Sequence, residues 1–333
     1  MSGGNQDTMK LVMELLRDMR KGIKSNSQRY LAFLGLLYCG KIAGGLSVRL
    51  CEAFRVHFLA RFWKTDLKIY GRWALVTGCS DGIGREYARA LASRGINIVL
   101  VARSQEKLET LKLELEYTHN VLTRVVVADL ARGAEVFSEI RSQIEDLEIG
   151  ILVNNAGVMY DQPSRFCDVP LKKLEEHITV NMQAVMMLTF MVLPQMLRRK
   201  KGLIVNMSSL SAFYPLPYMS VYSASKGFVD LFSQALAVEY GSQGIEVQTL
   251  TPSYVSTNLV KFSDVLSTPS FVVPDAKTFV DSAISTVGYT RRTTGYWSHG
   301  LQYWAMEHIP QWLWTMQSDT FFKAIDSSAD KKL

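Results

Sequence analysis

Tyr222 and Lys226 stand four residues apart in the run Tyr-Ser-Ala-Ser-Lys. On a helix this spacing puts a phenol and an ammonium on one face, one turn apart. A free phenol ionises near ~10, and a neighbouring positive charge favours the phenolate, so Tyr222 is expected to move toward neutrality and serve as a general acid or base. Ser209, shortly before this helix, is expected to end a strand and offer its hydroxyl to a substrate oxygen as charge develops there. Asn181 falls within a helix predicted over 171–199, where its amide is expected to hold a water that relays protons toward Lys226. Each of the four has a plain structural explanation on its own. Together, on one ordered scaffold, they point to proton transfer at a carbonyl or hydroxyl.

Elements able to position such a set follow from residue 71 onward. Near-continuous apolar runs at 73–77, 96–102, 123–129, 149–155, 202–208 and 245–251 read as strands covered on both faces, and amphipathic stretches such as 85–94 and 105–117 lie between them. That rhythm predicts βαβ units and an α/β fold with a Rossmann-type, doubly wound parallel sheet flanked by helices. The first strand runs into Gly78-Cys-Ser80-Asp81-Gly82-Ile83-Gly84, a turn whose glycines allow close approach to a pyrophosphate at a helix N-terminus. The second strand ends at Arg103, where an acidic residue would hold ribose hydroxyls; an arginine instead pairs with a 2'-phosphate and favours NADP(H) over NAD(H). Asp129, closing the third strand, is expected at the adenine edge, and Asn155-Ala156-Gly157, closing the fourth, beside the cofactor.

The 333 residues are 48% apolar and 20% charged, which excludes disorder and collagen. Four scattered cysteines form no C-x-x-C pair, and five histidines show no metal-ligand spacing, so neither a disulfide framework nor a metal is expected. The net charge of +6 is too mild to single out nucleic acid, which is not expected as a partner. Residues 1–70 form a separate segment: a basic amphipathic helix from Met9, then an almost wholly apolar stretch from Tyr30 interrupted by Lys41. A bilayer span requires ~20 apolar residues, and this window reaches that length only with Lys41 inside it. Membrane attachment is the favoured expectation; packing of residues 31–59 on the globular domain is the alternative. The basic helix suits import into a mitochondrion while Asp7, Glu14 and Asp18 spoil an ideal import signal, so mitochondrion and endoplasmic reticulum both stay open. Residues 291–333 form an aromatic-rich extension holding Trp297, Trp304, Trp312 and Trp314. Lys331-Lys332-Leu333 approximates two sorting signals without matching either.

Thr77-Gly-x3-Gly-x-Gly84, Asn154-Asn-Ala-Gly157, Asn181, Ser209 and Tyr222-x3-Lys226 resemble the motif set of the short-chain dehydrogenase/reductase family, over residues 71–290. The basic apolar lead, Pro215-Leu-Pro217 and Pro252-x2-Val255-x-Thr257 resemble its membrane-bound 17β-hydroxysteroid dehydrogenase and very-long-chain 3-oxoacyl-CoA reductase branch. The resemblance implies that Lys226 binds the cofactor ribose, that Val255 and Thr257 hold the nicotinamide carboxamide, and that the substrate loops are 158–169, 210–221 and 254–274. Phe213, Tyr214, Leu216, Tyr218, Met219, Tyr254, Leu259 and Phe262 make those loops apolar, so the expected partner is a small apolar substrate, a steroid or fatty-acyl ketone or alcohol. A homodimer is kept open. Arg292-Thr-Thr-Gly-Tyr-Trp-Ser-His299 is similar to a hydroxysteroid dehydrogenase-like group whose members can carry Phe where this chain has Tyr222. A catalytically silent dinucleotide-binding scaffold at a membrane is therefore the rival expectation. The chain also has Ser253 after Pro252, where the family commonly has Gly.

Overall fold

A computed structural model describes residues 4–329; the C-terminal Lys331-Lys332-Leu333 lies outside them. Seven parallel strands run in the order β3-β2-β1-β4-β5-β6-β7: β1 Trp73–Thr77, β2 Asn97–Ala102, β3 Thr123–Val127, β4 Ile149–Asn154, β5 Gly202–Met207, β6 Ile245–Leu250 and β7 Arg292–Thr293. The helices are α1 Gly4–His57, α2 Gly82–Ala92, α3 Gln105–His119, α4 Glu135–Ile144, α5 Leu171–Ile178, α6 Ala184–Arg199, α7 Ser220–Gly241, α8 Asp264–Ser267, α9 Ala276–Ala283, α10 Trp297–His308 and α11 Gln311–Ala329. This is the doubly wound α/β architecture that the strand and helix rhythm implied.

Alternation along the strands divides the core in two. On one face Val76, Ile98, Leu100 and Ile151 pack with Tyr87 and Leu91 of α2 and Phe279 of α9. On the other, Leu75, Val99, Leu152 and Ile204 pack with Ile140 of α4, Val192 of α6 and Leu236 of α7. Both faces being covered explains why the strands are near-continuous apolar runs rather than alternating ones. The strand order reverses between β1 and β4, and a cleft opens beyond the carboxyl ends of such a pair.

Two elements differ from the sequence-based expectation. The segment 171–199 is not one regular helix: a π-helical stretch, Thr179–Gln183, separates α5 from α6 and contains Asn181. The short seventh strand, β7, pairs only through Thr249↔Arg292 and Leu250↔Thr293, too brief to leave a periodic pattern. Arg292 holds it in place by a two-pronged bond to the buried Asp230 of α7, at 3.0 and 2.9 Å.

The chain divides into two compact units, with the break between Arg55 and Val56. In the first, the amphipathic and apolar stretches are parts of one continuous helix, with side chains exposed from Met9 through Arg55 wherever described. It is long and apolar enough to cross a membrane by length and composition. The second unit holds the sheet and all of α10 and α11.

Candidate active site

The glycine turn is shaped by strain-free use of positive φ and by tight packing. Gly78 has φ +64°, and a Cβ there would fall 2.9 Å from the Ala156 Cα. At Gly84 a Cβ would lie 2.4 Å from both the Gly78 carbonyl oxygen and the Asn155 Nδ2. Gly84 therefore serves close packing of α2 against the turn and does not line the cleft, unlike Gly78 and Gly82. The Asp81 carboxylate caps α2, accepting from the Gly82 N–H at 2.7 Å and from Asn258 Nδ2.

β4 lies beside β1, so its end meets this turn. Thr77 Oγ1 accepts from the N–H groups of Asn155 and Ala156, each at 3.0 Å, and donates to the Val153 carbonyl at 3.3 Å. The Asn155 amide returns the connection, donating to the carbonyls of Thr77 at 2.9 Å and Gly78 at 3.3 Å. These bonds fasten the two halves of the cleft floor together. Thr77 opens the motif run Thr77-Gly-x3-Gly-x-Gly84, but spacing alone assigns it no role; the structure gives it that of fastening β1 to the loop after β4.

The resulting cleft has a volume of about 390 Å³. Gly78, Ser80, Asp81, Gly82, Ile83, Arg103, Asp129, Asn155, Ala156, Gly157 and Thr257 line it. Arg103 is exposed at one end, and Lys107, which motif reasoning missed, joins it there. Asp129 spends one carboxylate oxygen on the Ala131 N–H at 3.1 Å, so its second oxygen is the one left for the cleft.

A second cavity of about 420 Å³ shares Ile83, Asn155, Gly157, Thr257 and Leu259 with the cleft. Ser209, Tyr222, Lys226 and Val255 line it. Tyr222 and Lys226 lie on the buried face of α7, and the Lys226 Nζ sits 5.7 Å from the Tyr222 ring centroid. Nζ donates to the Met207 carbonyl at the end of β5 at 2.9 Å. A Cβ at Gly157 would meet Lys226 Nζ at 3.4 Å and Asn181 Oδ1 at 3.5 Å, which puts ammonium and amide against the Asn-Ala-Gly loop. Ser209 Oγ accepts from the Ser211 N–H at 3.1 Å and lies close enough to the Tyr222 hydroxyl to favour its phenolate.

The electrostatics differ from the expectation built on spacing. Burial pushes the Tyr222 phenol up to about 12, with the Ser209 hydrogen bond pulling the other way and Tyr254 adding to the rise. Burial likewise brings Lys226 down to about 8. Both groups sit in a region that penalises their charged forms, and that penalty exceeds what the ammonium does for the phenolate. The phenol is thereby held as a proton donor.

Asn181 lines neither cavity. Its Oδ1 accepts from the Val158 N–H at 2.8 Å, and its Nδ2 donates to the Val158 carbonyl at 2.9 Å and to Ser225 Oγ at 3.0 Å. The amide is thus committed to bracing the loop after β4 against α7, and the water-holding duty expected of it does not fall to the side chain. The π-turn carrying it is what lets a helical residue reach that loop. His177, overlooked in the sequence, is wholly buried beside the phenol: its Nδ1 donates to the Lys173 carbonyl at 2.6 Å, and its ring meets Tyr222 edge-on at 6.3 Å.

Of the apolar loop residues anticipated at the substrate, Leu216, Met219, Tyr254, Leu259 and Phe262 line the second cavity. Phe213, Tyr214 and Tyr218 do not; Phe213 packs on Tyr303 and under the Arg292 guanidinium, and Tyr214 approaches Trp314. The aromatic extension closes the cavity instead, through Met306 of α10, Ile309 just after it, and Trp314 and Phe322 of α11.

The model of the short chain dehydrogenase family matches residues 72–264. The chain is 42% identical over 301 residues to inactive hydroxysteroid dehydrogenase-like protein 1 of Pongo abelii, covering 90% of this chain and 91% of that one. It is 44% identical over 242 residues to very-long-chain 3-oxoacyl-CoA reductase of Anas platyrhynchos, covering 72% and 76%. Among solved structures, a short-chain dehydrogenase from Sphingobium yanoikuyae in complex with NADPH is 32% identical and superposes with a TM-score of 0.61, over 72% of this chain and 96% of that one.

Proposed function

Since this chain belongs to the short-chain dehydrogenase/reductase family, we propose that it is an NADP(H)-dependent oxidoreductase that reduces a ketone on a steroid or fatty-acyl substrate. The observation that carries this reading is the Ser209–Tyr222–Lys226 group on the wall of an apolar cavity contiguous with the dinucleotide cleft. The cleft fits such a cofactor: Gly78 and Gly82 keep the turn free of Cβ atoms, and Arg103 with Lys107 would hold a 2'-phosphate at the exposed end. Bound there, NADPH supplies the hydride.

Tyr222 gives the proton to the carbonyl oxygen. A phenol kept protonated up to about 12 is the form that a reduction consumes. Ser209 orients the carbonyl and stabilises the phenolate left behind. Lys226, held by Met207 and set against Gly157, would hold the cofactor ribose and stabilise the phenolate. Val255 and Thr257 border the junction of the two spaces and would position the carboxamide. Asn181 and Thr77 set the backbone on which these groups stand. The apolar lining, with Met159, Leu216, Met219, Phe262 and Phe322, excludes water and suits a lipid-like substrate. We place the chain at a membrane of the endoplasmic reticulum or mitochondrion, on the length and apolar character of α1.

The second reading, a silent dinucleotide-binding scaffold, draws on the name of the Pongo abelii relative. Oxidation of NADPH by the full-length chain, measured against a panel of steroid ketones and 3-oxoacyl thioesters, separates the two. Turnover on any member that Tyr222→Phe abolishes supports the enzyme; NADPH binding with no turnover across the panel supports the scaffold.

A further inference from the structure

Helix α10 turns Gln302, Ala305 and Met306 toward the substrate cavity, and Ile309, the residue that follows the helix, also lines it. These positions recur at helical spacing, and Gln302 is the polar member of the stripe. Its carboxamide is held at both ends. Nε2 donates to the Val272 carbonyl at 3.1 Å, in the loop before α9. Oε1 accepts from Ser253 Oγ at 2.7 Å, and Ser253 is tied in turn by its N–H to the Nδ1 of the wholly buried His299, one turn earlier on α10, at 3.3 Å. Since a carbonyl can only accept, the Val272 contact fixes which end of the amide is nitrogen.

An amide has two acceptor lone pairs and two N–H donors, so these bonds use half of its capacity. One lone pair and one N–H remain on a half-buried group that lines the cavity beside Ala305 and Met306. The side chain is already immobilised, so a ligand that bonds to it does not bear the entropy of ordering it.

We infer that Gln302 is a specificity-determining residue, receiving a second polar group of the substrate, a hydroxyl or carbonyl distinct from the reacting ketone. The inference rests on the oxidoreductase reading for the identity of the cavity as a substrate site. The substrate class narrows accordingly: an apolar body with one reacting carbonyl and one further hydrogen-bonding oxygen.

The test is equilibrium binding of two flexible ketones, 2-decanone and 10-hydroxy-2-decanone, to the NADP-loaded full-length chain in detergent, read by quenching of tryptophan fluorescence, with Trp314 in the cavity wall as reporter. A flexible chain lets the added hydroxyl find Gln302 without a preset span. The quantity compared is the ratio of the two dissociation constants, in which partition into micelles cancels between proteins. Gln302→Met keeps length and removes the amide; it is expected to lower the preference for the hydroxyketone about fivefold to tenfold, the usual worth of one neutral hydrogen bond. An unchanged ratio overturns the inference. Should that variant not fold, Gln302→Leu, which also puts an apolar side chain in the stripe, is read by the same ratio against wild type: a fall of the same size supports Gln302 and an unchanged ratio sinks it. None of this needs turnover. Absence of turnover across the panel of steroid ketones and 3-oxoacyl thioesters, with a ratio that responds to Gln302, removes the oxidoreductase reading and leaves the subsite.

Discussion

Thr77→Val isolates what one hydroxyl does for the cleft. Valine nearly matches threonine in shape, and Thr77 is only 1% exposed, so the substitution opens no cavity and removes three hydrogen bonds alone. The consequences for the partners are unequal. The Asn155 N–H keeps a second acceptor, the Val153 carbonyl at 3.0 Å. The Ala156 N–H depended on Oγ1, and in its half-buried setting it finds water only by shifting the loop. One partly orphaned donor costs about 1–3 kcal/mol and a shared bond somewhat less than 1, giving an expected loss of about 2 kcal/mol. The same shift moves Asn155 and Gly157, which border both cavities, so NADPH affinity is expected to fall about tenfold as well. Urea denaturation and cofactor titration read the two effects, with Thr77→Ser, which keeps the hydroxyl, as control. A stability loss below about 0.5 kcal/mol with unchanged NADPH affinity would refute the account of how the cleft floor is held.

Tyr222→Phe removes the proton donor and little volume, so kcat on any accepted ketone is expected to fall at least ~100-fold while NADPH binds as before; unchanged turnover refutes the role. Arg103→Ala is expected to weaken NADPH about tenfold and NADH less than twofold, and equal losses for both would remove the 2'-phosphate assignment. Burial brings Lys226 down to about 8 in the folded chain from the 10.5 of a free lysine, so its charged form opposes folding most fully below pH 8, and the penalty fades as pH rises to 10.5. Lys226→Met is therefore expected to gain about 3 kcal/mol relative to wild type at pH 7, before the lost bond to Met207 is subtracted, and the gain should vanish by pH 10.5. A difference that does not change between pH 7 and 10.5 contradicts the burial argument.

Much of this molecule is legible in residue order because periodicity is local. Six of the seven strands, the glycine turn and the shared face of Tyr222 and Lys226 each depend on residues within a few positions of one another, and the backbone geometry of strand and helix converts spacing directly into facing. What lies between distant segments was decided only by packing. Thr77 and Asn155 are 78 positions apart, and they meet because β4 inserts beside β1, a strand order that no local pattern displays. Asn181 gave no sign of sitting in a π-turn, whose extra residue is stabilised by the loop it grips. The same holds for Gln302, which in sequence is one polar residue in an aromatic tail and in the fold is pinned by Ser253 and Val272. Spacing also placed the ammonium beside the phenol but could not weigh it against burial. The balance of those two depends on how much protein surrounds both groups, and depth is a property of the assembled fold.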